Sequence, residues 1–158
     1  MMSELLEDMY RKNPAIKVLS YEDMQDLLIS FKKKPGLIAG DYVEGDILDI
    51  LENAMSCMPA VMVESWADGE KAAVTAAEIA VKHLLDIISS CSHRYIIINY
   101  ITDEYTSIDT FSEVNSFIRE KMGNAYNNKN TLFMVTVRSN VSSNFTSFNI
   151  VISGINDN

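Results

Sequence analysis

The chain has little of what nucleotide-binding loops and metal centres are usually built from. Its 158 residues include 6 glycines, 2 cysteines and 2 histidines. The sequence contains no glycine-rich phosphate loop and no Walker-type Gly-Lys-Ser/Thr motif. His83 and His93 have neither metal-ligand spacing nor a nucleophile to pair with, so we interpret both as surface or boundary residues. The sequence therefore predicts no metal centre and no cofactor.

Positive charge is also scarce. Against 22 aspartates and glutamates stand 13 lysines and arginines, which gives a net charge of -9. A field of that sign repels nucleic-acid phosphates and anionic lipid headgroups. We therefore expect no nucleic acid and no membrane as a partner of this chain.

Long apolar segments are missing as well. The longest apolar run, residues 95–98, is far shorter than the roughly 18–20 residues of a membrane-spanning helix. The acidic N-terminus lacks the basic start and apolar core of an export signal. These features predict a cytoplasmic location, where Cys57 and Cys91 would be small, buried and reduced residues.

Hydrophobic periodicity divides the chain into helices and strands. Helices are predicted over residues 1–13, 20–33, 46–55, 68–89 and 110–122, and strands over residues 60–66, 94–101, 131–138 and 145–153. The remaining segments are a connector or short strand over 14–19, a loop over 37–45 and a hairpin turn over 139–144.

Several polar residues stand where helices are predicted to begin. Ser20, followed three residues later by Asp23, has the spacing of a capping box. Asp68 is the candidate N-cap of the long alanine-rich helix. Thr110 or Ser112 is the candidate for the helix that follows the central strand. These residues set the predicted helix boundaries.

The order of elements from residue 46 onward is helix, strand, helix, strand, helix, strand, strand. That order predicts an α/β fold with a four-stranded mixed sheet, in which two crossover helices connect parallel neighbours and an antiparallel hairpin closes the sheet. We expect residues 1–35 to form an N-terminal helical segment and residues 36–155 to form the domain.

Two groups of acidic residues are candidates for a functional site. Asp41 and Glu44 precede a helix N-terminus, where negative charge is stabilising, and this suits a capping role. Asp103, Glu104 and Asp109 follow the central strand, at the kind of sheet edge where α/β proteins often bind ligands. Three acids without a basic partner also fit a solvated loop, so both interpretations stay open.

Five segments occur in an order that resembles a known family. They are residues 36–44, 64–85, 96–101, 111–120 and 145–154. Together they resemble the C-terminal half of the tubulin-like bacterial cell-division protein FtsZ, from its Gly-Leu-Ile loop to its last strand. The resemblance covers about residues 36–154. It implies the α/β fold predicted above.

The resemblance also carries an expectation about chemistry. In that family a separate N-terminal domain binds GTP, and acidic residues of the Gly-Leu-Ile loop complete the nucleotide site of the next subunit in a filament. Asp41 and Glu44 match those acidic residues, whereas Ala39 stands where the family has asparagine. The loop is then either vestigial or able to act only in trans on another protein, and we expect no enzyme activity from the chain alone.

Three functions remain open. The first is a non-catalytic protein–protein association module, self-associating as a homo-oligomer or binding an FtsZ/tubulin-like filament. The second is a small-molecule-binding domain or a modest enzyme, with a pocket near Asp103 and Glu104 or at a subunit interface. The third is a regulator that presents Asp41 and Glu44 to the nucleotide face of a true FtsZ.

Overall fold

The architecture is taken from a computed structural model. It describes residues 4–13, 15–33, 37–39, 44–104, 106–138 and 145–157. The helices are α1 (Glu4–Lys12), α2 (Tyr21–Lys33), α3 (Glu44–Met55), α4 (Ala72–Ser90) and α5 (Ile108–Met122), with a short 3-10 turn at Gly123–Ala125. The strands are β1 (Ile16–Leu19), β2 (Leu37–Ala39), β3 (Ala60–Ala67), β4 (Cys91–Ser92), β5 (Tyr95–Asp103), β6 (Thr131–Arg138), β7 (Thr146–Ser153) and β8 (Asn156–Asp157).

The main sheet confirms the predicted mixed α/β class but has more strands than predicted. Its order is β1-β3-β7-β5-β6-β2, six strands instead of four, and β4 pairs separately with β8. Residues 14–19, left open as connector or strand, form β1 against β3. The prediction of a loop over residues 37–45 is wrong at both ends. Its first three residues form β2, which pairs with β6, and α3 begins at Glu44.

The predicted C-terminal hairpin is wrong. The last strand, β7, does not pair with β6 but lies between β3 and β5, antiparallel to both. Only the α5 crossover joins parallel neighbours, β5 and β6. The α4 crossover joins β3 to β5, which are parallel but separated by β7. In this position β7 is covered by strands on both edges, which satisfies its main-chain groups better than a hairpin at the sheet edge would.

The first 35 residues contribute to the same sheet. β1 pairs residue by residue with the first half of β3, from Leu19 opposite Ala60 to Ile16 opposite Val63. α2 follows directly and packs its buried Met24 under the sheet. The domain boundary predicted between residues 35 and 36 stays a prediction. β1, which lies before that boundary, is already part of the main sheet.

Helices cover both faces of the sheet. On one face α4 and α5 pack over a cluster that includes Leu84, Ile118 and Phe133. On the other face α2 and α3 pack over a second cluster that includes Met55 and Leu132. Burial on both faces explains why β5 is apolar without alternation, as the sequence predicted.

The helix caps were predicted correctly in one case out of three. The Ser20–Asp23 capping box forms, with each backbone N–H donating to the other residue's side-chain oxygen at 3.0 Å. The backbone and side-chain hydrogen bonds from Ser20 lower the pKa of Asp23. The predicted cap at Asp68 is wrong, because α4 begins at Ala72 after Lys71, which makes no side-chain capping bond. The cap of α5 is Ser107, not Thr110 or Ser112.

Candidate functional site

A cleft opens at the carboxyl end of the central strand β5. It lies between the N-termini of α4 and α5 and has a volume of about 170 Å³. The residues that line it are Gly69, Glu70, Ala72, Ala73, Thr106, Ser107, Thr110 and Thr146. β3 and β5 run in the same direction and are followed by α4 and α5, so both helices begin at this edge of the sheet. Strand ends of this kind are where open α/β sheets bind ligands.

Hydroxyl groups connect the end of β5 to the start of α5. The hydroxyl of Thr102 donates a hydrogen bond to that of Thr106, which in turn donates to Asp103 Oδ1 at 3.0 Å. The other carboxylate oxygen of Asp103 accepts from the backbone N–H of Phe145 at 3.1 Å. Asp103 is 2% exposed, so these bonds hold a buried carboxylate in place.

Tyr100 lies beneath this network. Its ring is fully buried and stacks on Phe148 with 4.9 Å between centroids. Its hydroxyl lies next to the side-chain hydroxyls of Thr102 and Thr146, and hydrogen bonding with both lowers the pKa of Tyr100. Burial raises the pKa of Tyr100, and the nearby Asp103 carboxylate acts in the same direction against the two threonines. The phenol therefore keeps its proton at neutral pH and remains a donor.

The two helix N-termini at the cleft differ in how they are capped. In α5 the Ser107 hydroxyl accepts from the Thr110 backbone N–H at 3.2 Å. α4 has no side-chain cap, and the backbone N–H of Ala72 donates to the Gly69 carbonyl at 3.2 Å. N–H groups of an uncapped first turn carry a positive partial charge that favours negative ligands.

The acidic residues predicted after β5 do not assemble into one site. Asp103 is buried in the hydroxyl network, which excludes the interpretation as a solvated loop for this residue. Glu104 and Asp109 are exposed, in a turn and in the first turn of α5. None of the three lines the cleft, where the acidic side chain is that of Glu70.

The predicted loop acids are at the margin of the described structure. Asp41 lies outside the described residues. Glu44 is the first residue of α3, and its side chain lies outside them too. The role of these two residues therefore stays a prediction.

The histidines and cysteines occupy structural positions. Both histidines are half-buried, and burial lowers the pKa of each. His83 Nδ1 lies 2.7 Å from the side-chain nitrogen of Asn13, which ties α4 to the segment before β1. Cys91 is buried with its thiol 3.1 Å from the Ile87 carbonyl, whereas Cys57 is only partly buried, and neither is in a disulfide.

No group of three or more histidine, cysteine, aspartate or glutamate side chains is placed to hold a metal ion within the part of the chain that is described. Within the same ranges, no helix combines the length and apolar character needed to cross a bilayer.

Sequence reasoning missed the residues that build the cleft. Thr146 lies in a strand that was predicted only as core, and Ala72 and Ala73 lie in a helix whose alanines were predicted only to pack. The available signal was the run of hydroxyl residues after β5, which includes Thr106 and Ser107, at a strand end already recognised as a ligand-binding position.

Comparison with known structures confirms the FtsZ-like fold. An empty dimer of FtsZ from M. jannaschii superposes with a TM-score of 0.56 and 22% identity, over 80% of this chain and 34% of that chain. A variant of FtsZ from M. jannaschii superposes with a TM-score of 0.55 and 21% identity, over 85% of this chain and 40% of that chain. No protein-family model matches the sequence, and no curated protein matches it significantly. The chain thus has an FtsZ C-terminal-like fold and spans less than half the length of these FtsZ chains.

Proposed function

We propose that this chain is a non-catalytic protein–protein association module that works by contact with further copies of itself. The observation that carries the proposal is a pair of strand edges that the described strands cover only in part, each with an exposed apolar side chain. One is the second half of β3, with Trp66, and the other is the end of β6, with Val137. One of the similar structures is described as an FtsZ dimer, which fits self-association of this fold.

The edge of β3 is only half covered. β1 pairs with residues 60–63, and one further bond joins the Glu64 N–H to the Ala15 carbonyl at 3.1 Å. Beyond that point no described strand pairs with the outer edge of β3. Trp66 is 66% exposed there. A large exposed aromatic side chain on a strand that the described strands leave partly uncovered is typical of a contact surface.

The opposite edge of the sheet has the same character. β2 pairs only with residues 133–135 of β6. The last three residues of β6 have no outer neighbour among the described strands, and Val137 is 55% exposed. β3 and β6 run in the same direction, so Trp66 and Val137 are at one end of the sheet. Glu64 on one edge and Arg138 on the other carry opposite charges, which favours contact between unlike edges.

Contact between unlike edges would be head-to-tail, and such contacts build open chains of subunits. The module would act in the cytoplasm, on itself or on an FtsZ/tubulin-like filament, and a role in cell division is part of the proposal. Catalysis is not, since neither the sequence nor the described cleft supplies a nucleophile with a paired base.

Sedimentation velocity over a dilution series tests the proposal. We expect assembly at tens of micromolar protein that dissociates on dilution, and a strict monomer at that concentration would refute self-association. Trp66→Ser should shift the protein to monomer. Tyr21→Ser is the matched control, because Tyr21 is 64% exposed and follows β1 at the other end of β3.

Mixing two variants tests the geometry of the contact. Trp66→Ser keeps the β6 edge intact, and Val137→Lys keeps the β3 edge intact. If unlike edges meet, each variant alone is monomeric and an equimolar mixture forms a dimer that grows no further. If Val137→Lys alone assembles as the unchanged protein does, the contact between unlike edges is wrong.

A further inference from the structure

We propose that the contact between Asn13 and His83 is a pH-sensitive latch, which holds the segment before β1 against the edge of β3 and releases it in acid. This inference rests on the proposed function, because it concerns the regulation of the β3 edge that carries Trp66. It is carried by a row of hydrogen bonds that runs from a side chain of α4 to the main chain of β3.

Asn13 lies at the centre of this row. Its side-chain nitrogen is 2.7 Å from His83 Nδ1, and its side-chain oxygen accepts from the Ala15 backbone N–H at 3.0 Å. The Ala15 carbonyl accepts in turn from the Glu64 backbone N–H at 3.1 Å. Glu64 is the first residue of β3 beyond its pairing with β1, two residues before Trp66. A titratable side chain is thus linked to the part of β3 that we propose as a contact edge.

The hydrogen bonds of Asn13 determine which form of His83 fits the latch. Because the Ala15 N–H donates to the Asn13 side-chain oxygen, the amide nitrogen of Asn13 is the atom that faces His83. That nitrogen is a donor, so Nδ1 must be an unprotonated acceptor, as in neutral imidazole. Protonation of Nδ1 would bring two donors face to face. If the Asn13 amide turned over, the bond from Ala15 would be lost instead, so protonation breaks the row in either case.

The surroundings of His83 favour the neutral imidazole while the latch is closed. Burial lowers the pKa of His83; Asp86 opposes this shift, and Lys82 adds to it, both from α4 itself. The side of α4 that packs on the sheet carries buried apolar residues such as Ala80 and Leu84. In the released state solvent reaches the imidazole, and its pKa returns towards the ordinary value of about 6.5. Acid therefore shifts the equilibrium towards release, and the shift develops below pH 6.5.

The segment before β1 is held lightly enough for one hydrogen bond to matter. α1 packs mainly against β1, which is only four residues long. The exposed basic residues that precede Asn13 form ion pairs within α1, Arg11 with Glu7 at 3.9 Å and Lys12 with Asp8 at 2.9 Å. Local opening of such a peripheral segment does not require the sheet to unfold.

Hydrogen exchange tests the latch on the full chain, in dilute solution where copies do not associate. Deuterium uptake, corrected for the effect of pH on the exchange chemistry, is compared at pH 7.5 and pH 5.5. In peptides that cover residues 13–19 and 60–66 we expect protection to fall about tenfold at pH 5.5, as one hydrogen bond is lost. Protection of residues 146–153 in the middle of the sheet should persist. Unchanged protection of residues 13–19 overturns the proposal.

Two histidine variants separate protonation of His83 from a general effect of acid. His83→Gln keeps an acceptor for Asn13 but does not titrate, so its exchange should no longer respond to pH. His93→Gln is the matched control, because His93 is also half-buried and burial also lowers its pKa. It should keep the release in acid. Loss of the release in both variants, or in neither, refutes the latch.

Asn13→Asp should reverse the sign of the response. One carboxylate oxygen can still accept from the Ala15 N–H, and the other can accept from a protonated His83. Acid then tightens the contact, so protection of residues 13–19 should rise between pH 7.5 and pH 5.5. A fall as large as in the unchanged protein contradicts the assigned contact.

Sedimentation velocity at the same two pH values connects the latch to self-association. We expect association about tenfold tighter at pH 5.5 for the unchanged protein and for His93→Gln, in proportion to the released fraction, and a much smaller change for His83→Gln. Assembly that ignores pH although the segment is released overturns the link to the β3 edge. A strict monomer at both pH values refutes the proposed self-association instead, while the exchange data still decide on the latch.

Discussion

Replacing Gly154 with alanine should damage the fold more than any glycine substitution in an open position. Gly154 follows β7 and has a φ of +67°, a backbone conformation that residues with a Cβ atom rarely adopt. A Cβ atom there would lie 2.7 Å from Arg94 Cβ, 2.8 Å from Arg94 Cγ and 2.8 Å from Cys57 Sγ. The Gly154 N–H also donates to the Cys57 carbonyl at 2.9 Å, so the backbone cannot move away without losing that bond.

The expected loss is the sum of two contributions. Backbone strain from a positive φ costs about 1–2 kcal/mol for a residue with a Cβ. Overpacking against a crowded wall costs about 1–3 kcal/mol. We therefore expect the free energy of unfolding to fall by about 3 kcal/mol, a large fraction of the roughly 5–15 kcal/mol typical of a whole domain. Urea unfolding followed by circular dichroism measures this value.

Gly123→Ala is the control for backbone strain alone. Gly123 also has a positive φ, +54°, but a Cβ there would have nothing within 4 Å. It should lose only the strain contribution, about 1–2 kcal/mol. If Gly154→Ala is no less stable than Gly123→Ala, crowding by Arg94 and Cys57 does not constrain the chain at this point, and the reasoning is refuted.

Two further predictions concern pH and catalysis. Burial lowers the pKa of His83 in the folded protein below 6.5; Asp86 opposes this shift to a smaller extent, and Lys82 adds to it. The unfolded chain therefore binds more protons, so stability should be full above pH 6.5 and fall as the pH drops through and below that value. Urea unfolding of His83→Gln at several pH values should show a smaller fall in stability with decreasing pH. An unchanged fall would mean that another group causes the pH dependence. For catalysis, we expect the chain alone to release no phosphate from GTP, either unchanged or with the Asp41→Ala substitution. Unaided turnover of GTP would contradict the non-catalytic proposal.

The parts of the fold that depend on neighbours in sequence were predictable. The Ser20–Asp23 capping box needs only residues three apart, and it forms as expected. The apolar run at the start of β5 indicates burial on both faces whatever covers it. The α5 crossover to a parallel strand follows from the strand–helix–strand order and the short links. The first two features are decided within a few residues, and the third by the order of three consecutive elements.

The position of β7 was not predictable in this way. A polar link of six residues between β6 and β7 suits a hairpin, so local rules favoured pairing of the two strands. The structure instead pairs Ile150 with both Val63 and Ile98, residues far away in the sequence. Burial of both faces and both edges of β7 outweighs the short connection, and this free energy exists only once the sheet has formed.

The sequence by itself determined the fold class, the resemblance to FtsZ and the scarcity of positive charge, because composition and periodicity are properties of the chain alone. Only the tertiary structure decided that two helix N-termini meet at one cleft and that β7 lies between β3 and β5. It also decided that Trp66 and Val137 lie at one end of the sheet. These juxtapositions depend on strand order and register, which are fixed by packing between segments that are distant along the chain.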